Sequence, residues 1–274
     1  MKNVKTERLL TIIILLYLLI IIFPFIWVLI TSFKPESEIW GTNALSIFGS
    51  EFTTEHYRSL FRGEIFNALK NSLIISSITT IYVTLIASFA AYAIARLPFR
   101  GKTALVAIIL ATSMFPQMIV VGPIYRIFVS LGWTNSYFIS LPYSMLTLPV
   151  AVFILVTHFQ QIPKEMEESA IMDGASKLRT YFQIILPLAL PGIFTAAIMT
   201  FIGAWNEFLL SLTLNTDAHW RTATVAISFL RGQFRIFWGQ VTAATVIVTI
   251  PTLIIVVLFQ RQIVSGLTSG ALKG

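Results

Sequence analysis

Residues 165–192 run Glu165-Met166-Glu167-Glu168-Ser169-Ala170-Ile171-Met172-Asp173-Gly174-Ala175-Ser176-Lys177-Leu178-Arg179-Thr180-Tyr181-Phe182-Gln183-Ile184-Ile185-Leu186-Pro187-Leu188-Ala189-Leu190-Pro191-Gly192. The first half is polar and charged, yet long apolar segments lie on both sides. The stretch reads as two short helices. Pro163 suits a helix start, where its missing N–H costs nothing. Glu165, Glu167 and Glu168 fall in the first turns, where negative charge complements the helix dipole. Gly174 is placed to end that helix in the left-handed conformation. A second amphipathic stretch, Leu178, Phe182, Ile185 and Leu186, is expected to lead into the next apolar segment. A membrane protein that keeps such a segment between two spans uses it to touch something.

The flanking sequence sets the environment. Apolar residues make up 56% of the 274-residue chain and charged residues only 11%, far from a soluble globular mix. Leu9–Ile30 holds no charge, and about 22 residues at 1.5 Å each reach roughly 33 Å, enough to cross a bilayer. Further apolar runs at 69–95, 103–124, 137–158, 188–212 and 240–259 give six spans. Six crossings put both ends on one side. The N-terminal run is too long for a cleaved leader and no small-x-small site follows it, so it reads as a retained first span. With no cysteine, thiol and disulfide chemistry is excluded.

The net charge of +7 raises the question of nucleic acid. Its carriers are scattered singly, without a basic stripe, so nucleic acid is excluded as a partner. Lys2, Lys5, Arg8, Arg96, Arg100, Lys102, Lys164, Lys177, Arg179, Arg261 and Lys273 fall on one face of the six-span topology. Lys34, Arg58, Arg62, Lys70, Arg126, Arg221, Arg231 and Arg235 fall on the other, over longer loops. The positive-inside rule makes the first face cytoplasmic, with the dense cluster Arg96–Lys102 its clearest part.

Several segments hint at internal organisation. The second span is rich in Ser, Thr and Ala, which permits close helix packing in lipid. The third is interrupted by Phe115-Pro116 and Gly122-Pro123, with Thr112, Ser113 and Gln117 nearby. Such a break either lines a cavity or is a plain proline kink inside a bundle. Pro142 and Pro149 are expected to bend the fourth span similarly. The fifth is expected to start at the Pro187–Gly192 elbow and rise to Trp205-Asn206-Glu207-Phe208. Glu207 is an acid near the outer end of that span: it either lines a path with Asn206 or plays a structural part at the interface. Between spans one and two, Glu55–Phe61 reads as a short surface helix. The loop Asn215–Trp238 mixes Trp220, Phe229, Phe234, Phe237 and Trp238 with Arg221, Arg231 and Arg235. That composition fits either a loop meeting an external partner or an interfacial aromatic belt.

No enzyme constellation is present. His56, His158 and His219 are far apart and lack metal-ligand spacing. No phosphate-binding G-x-x-x-x-G-K-[ST] loop and no dinucleotide-binding glycine turn occurs. Any uphill transport must therefore draw on an ATPase elsewhere.

The pattern E-A-A-x3-G-x9-I-x-L-P is shared by permease subunits of binding-protein-dependent ABC importers. Glu168, Ser169, Ala170, Gly174, Ile184, Leu186 and Pro187 stand at those spacings, with Ser169 as the one departure. The run Trp205–Leu209 resembles a segment of sugar-specific permeases. The end, Gln260–Gly274, resembles the tail of MalG-like permeases from maltose-type importers. The resemblance extends over essentially the whole chain.

That resemblance implies an all-α polytopic membrane protein with six transmembrane helices, the type I ABC importer permease fold with a cytoplasmic coupling helix. It implies a first helix and external loop over 1–66, a permease domain over 67–260 and a cytoplasmic tail over 261–274. The partners it implies are a homologous MalF-like permease, an ATPase dimer, an extracytoplasmic sugar-binding protein and the lipid bilayer. No cofactor is expected in this chain, because ATP and Mg would be bound by the ATPase subunits. ATPase coupling is assigned to Glu168, Ser169, Ala170, Asp173, Gly174, Ala175, Leu186 and Pro187. In the family the tail enters the ATPase interface, which here points to Gly266, Thr268, Ser269 and Gly270. The short, acid-free tail can lie extended in a cleft, although composition alone favours a disordered end. Thr112, Ser113, Gln117, Asn206 and Glu207 are candidates for the translocation path. The cargo implied is a di- or oligosaccharide of the maltose, maltodextrin or trehalose class. A secondary transporter would need intramembrane charges at span centres, which are absent. A channel would need polar rings, and a scaffold would leave the broken third span without a purpose.

Overall fold

The computed structural model describes residues 4–41, 46, 49, 51–230 and 236–268. Its helices, in chain order, begin with α1 Val4–Thr31, α2 Glu36–Ile39, α3 Glu55–Arg62, α4 Ile65–Arg96, α5 Lys102–Ser113, α6 Gln117–Leu131 and α7 Ser140–Gln161. The series continues with α8 Glu165–Met172, α9 Lys177–Thr180, α10 Leu186–Leu188, α11 Leu190–Trp205, α12 Leu209–Leu214, α13 Ala223–Ser228 and α14 Trp238–Thr268. Among the described residues, four stretches are long and apolar enough to cross a bilayer: Arg8–Thr31, Ile65–Arg96, Tyr137–Gln161 and Trp238–Ile263. Two bent pairs bring the number up to six: Lys102–Ser113 with Gln117–Leu131, at 86°, and Lys177–Leu188 with Leu190–Trp205, at 76°. This is an all-α multi-pass membrane protein with the spans expected from hydropathy.

The chain forms two compact units. The first comprises Met1–Phe66 with Ala226–Ile250. Its α1 is apolar on all sides, and none of its apolar window is buried within that unit. A helix of that kind is solvated by lipid or by another membrane subunit. Several described residues after α1 make specific contacts. Phe33 stacks on Phe52 at 4.6 Å and packs on Tyr57 at 5.0 Å. Buried Lys34 lies 5.1 Å from the Trp27 ring and donates to the Ser46 carbonyl. The Glu36 carboxylate accepts the Trp238 and Gly239 N–H groups, each at 3.0 Å. Those are orphan donors at the start of α14, where an acid is also favoured by the dipole.

The second unit comprises Asn67–Val225 with Pro251–Gly274. Its larger apolar core joins Val83, Ala87 and Ala91 of α4 to Ala151, Leu155 and Phe159 of α7, and to Tyr181, Ile185 and Ala196 further on. The small residues of α4 make that approach close, as packing in lipid requires. Gly192 is needed for the same reason. A Cβ there would lie 2.4 Å from Cγ of His158, so only glycine lets α11 cross α7 at this point. A smaller core at the other end gathers Ile75, Phe128, Ile139, Tyr143, Leu210 and Leu214.

Three expectations need correction. The third span breaks only between Ser113 and Gln117, at the Phe115-Pro116 pair; α6 runs unbroken through Gly122-Pro123. Proline inside a membrane helix forfeits one backbone bond, which need not end the helix. The second half of the polar segment buries only part of the expected face, with Ile185 buried and Leu186 half-buried. Leu178 and Phe182 are exposed, whereas Thr180, Tyr181, Ile185 and Ala189 are buried. A π-helical turn over Tyr181–Ile185 shifts Ile185 and the residues after it off the 3.6 period that would align them with Leu178 and Phe182. Finally, the C-terminal segment is not extended from residue 261. After a non-helical Phe259, helix α14 carries on to Thr268.

Candidate coupling site

Helix α8 begins at Glu165, two residues beyond Pro163, and ends in a complete C-cap. Gly174 has φ +81°, donating its N–H to Ile171 O at 3.0 Å. The Ala175 N–H donates to Ala170 O at 2.9 Å. These are the two bonds of a Schellman motif, with the left-handed residue at the position where glycine is favoured. The fixed gap between Ala170 and Gly174 is thus the span of that cap. Ala170 is buried and must be small, while Glu168, Ser169, Asp173 and Gly174 face outward and Ala175 is half-buried. Ser176 then caps α9, its hydroxyl accepting the Arg179 N–H at 3.3 Å. Leu186 packs on the larger core, and Pro187 is exposed.

The outward face of α8 is not only acidic. Met166, Ile171, Met172 and, beyond the cap, Leu178 are exposed too, Met172 at 87%. The sequence reading passed over Met166, Ile171 and Met172 because no regular apolar stripe links them. Flexible Met side chains on an exposed face adapt to a contacting surface. The reading also passed over Arg96 and Glu167 as partners. They form an ion pair at 2.8 Å that holds α8 to the end of α4.

The other candidates are placed as follows. Thr112 and Ser113 are exposed on the last turn of α5, with hydroxyls donating to Ile109 O at 2.6 Å and Leu110 O at 2.7 Å. Gln117 opens α6 just past the break, half-buried. Asn206 is exposed and donates to Ile202 O at 2.8 Å. Glu207 is 5% exposed, and its carboxylate accepts Leu210 N–H at 2.7 Å and Ser211 N–H at 3.1 Å. The acid therefore caps α12, while its neighbour Asn206 faces out. Gly266 and Thr268 lie in the last turns of α14; Ser269 and Gly270 lie outside the described residues, as do Arg231, Phe234 and Arg235 of the loop Asn215–Trp238.

The start of that loop is held firmly. Asn71 donates to the carbonyls of His219 at 2.8 Å and Arg221 at 3.1 Å. Asn215 accepts Ser136 N–H at 3.1 Å and donates to Trp220 O at 3.0 Å. The Ala223 N–H donates to Ser72 at 2.8 Å. No group of acids, histidines or cysteines that could hold a metal ion occurs among the described residues.

The family described as the binding-protein-dependent transport system inner membrane component matches residues 83–269. The trehalose/maltose transport system permease protein MalG of Thermococcus litoralis is 41% identical over 280 aligned positions, covering 100% of both chains. The sulfoquinovosyl glycerol transport system permease protein SmoH of Agrobacterium fabrum is 37% identical, covering 92% of this chain and 89% of its own. Among solved structures, a chain of a bacterial ABC transporter involved in the import of the acidic polysaccharide alginate superposes with a TM-score of 0.77. It covers 94% of this chain and 98% of its own at 19% identity, which speaks to the fold. A capped polar helix between two spans, on a bundle of this fold and with relatives along its whole length, has one home: the chain belongs to the binding-protein-dependent transport system inner membrane component family, as a permease subunit of an ABC importer and not an enzyme.

Proposed function

We propose that this permease carries a neutral disaccharide of the trehalose or maltose class, delivered by an extracytoplasmic binding protein and driven by a separate ATPase pair. The full-length similarity to a trehalose/maltose permease carries the cargo reading. Side-chain chemistry favours it over the sulfonated glycoside of the second relative. The candidate path residues Thr112, Ser113, Gln117 and Asn206 are neutral hydrogen-bonding groups, while Glu207 is committed to capping α12. Neutral donors and acceptors suit sugar hydroxyls, whereas an anionic cargo calls for cations.

In this account both termini are cytoplasmic, following the charge bias. A second, homologous permease completes the pathway. The face formed by Met166, Glu168, Ser169, Ile171 and Met172 seats in a groove of one ATPase subunit. Closure of the ATPase pair moves α8. Helices α7 and α11, joined through the larger core, pass the movement across the membrane. The last turns of α14, with Gly266 and Thr268, approach the ATPase interface, as Ser269 and Gly270 do in the same reading.

The test is uptake by proteoliposomes holding this chain, its partner permease, the ATPase pair and the binding protein. Labelled trehalose and maltose are expected to accumulate with internal ATP and to keep doing so when ionophores collapse the ion gradients. Accumulation of a sulfonated glycoside alone would overturn the cargo class. Accumulation that follows an ion gradient without ATP would overturn the mechanism.

A further inference from the structure

Three helix ends meet at one guanidinium. Arg96 is the last residue of α4, and its side chain is 5% exposed. Its Nε lies 2.8 Å from Oε1 of Glu167, in the first turn of α8, whose side chain is 16% exposed. Its Nη2 donates to the carbonyl of Ile162, the residue that closes α7. Each charge suits its own helix: a cation at the negative end of α4, an anion at the positive end of α8. Adjacent acids therefore face opposite ways. Glu168 is exposed, while Glu167 is turned into the protein. One and two turns earlier on α4, Tyr92 packs on Tyr181 at 5.0 Å and Ser88 hydrogen-bonds the Tyr181 hydroxyl at 2.7 Å. The second span thus grips the polar segment on both sides of its Gly174 cap.

We propose that Arg96 and Glu167 are positioning residues for transport: their ion pair transmits displacement of the coupling helix into the second span, alongside the route through α7 and α11. This rests on the reading of α8 as the ATPase-contacting helix. Helix α8 is short and joined to α7 by only Ile162–Lys164, so its covalent connection does not by itself fix its orientation. A buried charge pair adds little net stability compared with apolar groups of the same shape, because desolvation offsets the attraction. What it does supply is a charge contact that is costly to break halfway, because each group left alone is a buried unpaired charge. Pushed by an ATPase, α8 cannot slide past the end of α4 without stripping one charge from the other.

The experiment uses the reconstituted complex with R96Q, E167Q and the double variant R96Q/E167Q. Assembly is read by size-exclusion chromatography, and sugar imported per ATP hydrolysed is the readout. That ratio separates coupling from mere stability, since a complex that only loosens assembles less but keeps its ratio. Each single variant is expected to lower the ratio about fivefold in assembled complexes, and the double variant, whose amides pair without charge, to recover part of it. Should a single variant not assemble, R96K and E167D keep both charges while altering reach, and a lowered ratio is again expected. A wild-type ratio in assembled variants, or a double variant whose loss is the product of the two single losses, overturns the proposal. A wild-type complex that imports no sugar with ATP overturns the functional reading first, before any variant is measured.

Discussion

A Cβ placed on Gly174 meets open space, with no atom within 4 Å. The constraint there is therefore the backbone alone, at φ +81°. A side chain in that conformation costs about 1 kcal/mol, and its size adds little within this chain. Gly174→Ala and Gly174→Leu should consequently lower the thermal midpoint of the purified permease by similar, small amounts. ATP-driven uptake should separate them, because the exposed cap sits on the proposed ATPase face. Leu is expected to reduce uptake several-fold more than Ala. Equal uptake by the two variants would remove the cap from the contact. Gly192 is the opposite case: its backbone is ordinary, and the constraint is the His158 side chain pressed against it.

Helix α12 owes its start to Glu207. The preceding residue Phe208 supplies no side-chain cap, and the carboxylate takes the N–H groups of Leu210 and Ser211 instead. Glu207→Ala leaves both buried donors without their acceptor, a loss of roughly 2–4 kcal/mol. Glu207→Gln keeps one acceptor and should lose less. Thermal denaturation in detergent reads the order. A variant with wild-type stability and altered sugar selectivity would return Glu207 to the translocation path. How legible these elements were in the sequence follows from the range of the forces involved. The spans and the α8 cap are local: an uncharged apolar run and a glycine after an acidic helix write themselves into neighbouring residues. The π turn at Tyr181–Ile185 is not local. At its start the Tyr181 ring packs against Phe89 and Tyr92 of α4, about ninety positions upstream. Leu178, Phe182 and Ile185 looked like one face because a 3.6 period was assumed throughout. The Arg96–Glu167 pair was hidden for the same reason. Both charges were visible, one in the basic cluster and one in an acidic first turn, but nothing in one dimension says that they meet.

On the scale of the molecule, the first and last spans carry many exposed apolar side chains among the described residues. Lipid or a second permease must cover them, in keeping with a subunit of a larger assembly. The account depends most on where α8 lies. The chain has no cysteine, so Ser169→Cys provides a single thiol on an exposed site of that helix. The decisive measurement labels this thiol with a membrane-impermeant maleimide in sealed vesicles of both orientations. Reaction in inverted vesicles alone, blocked when the ATPase subunits are bound, is the predicted result. Reaction in right-side-out vesicles would put α8 on the outer face, beyond the reach of any ATPase, and contradict the account.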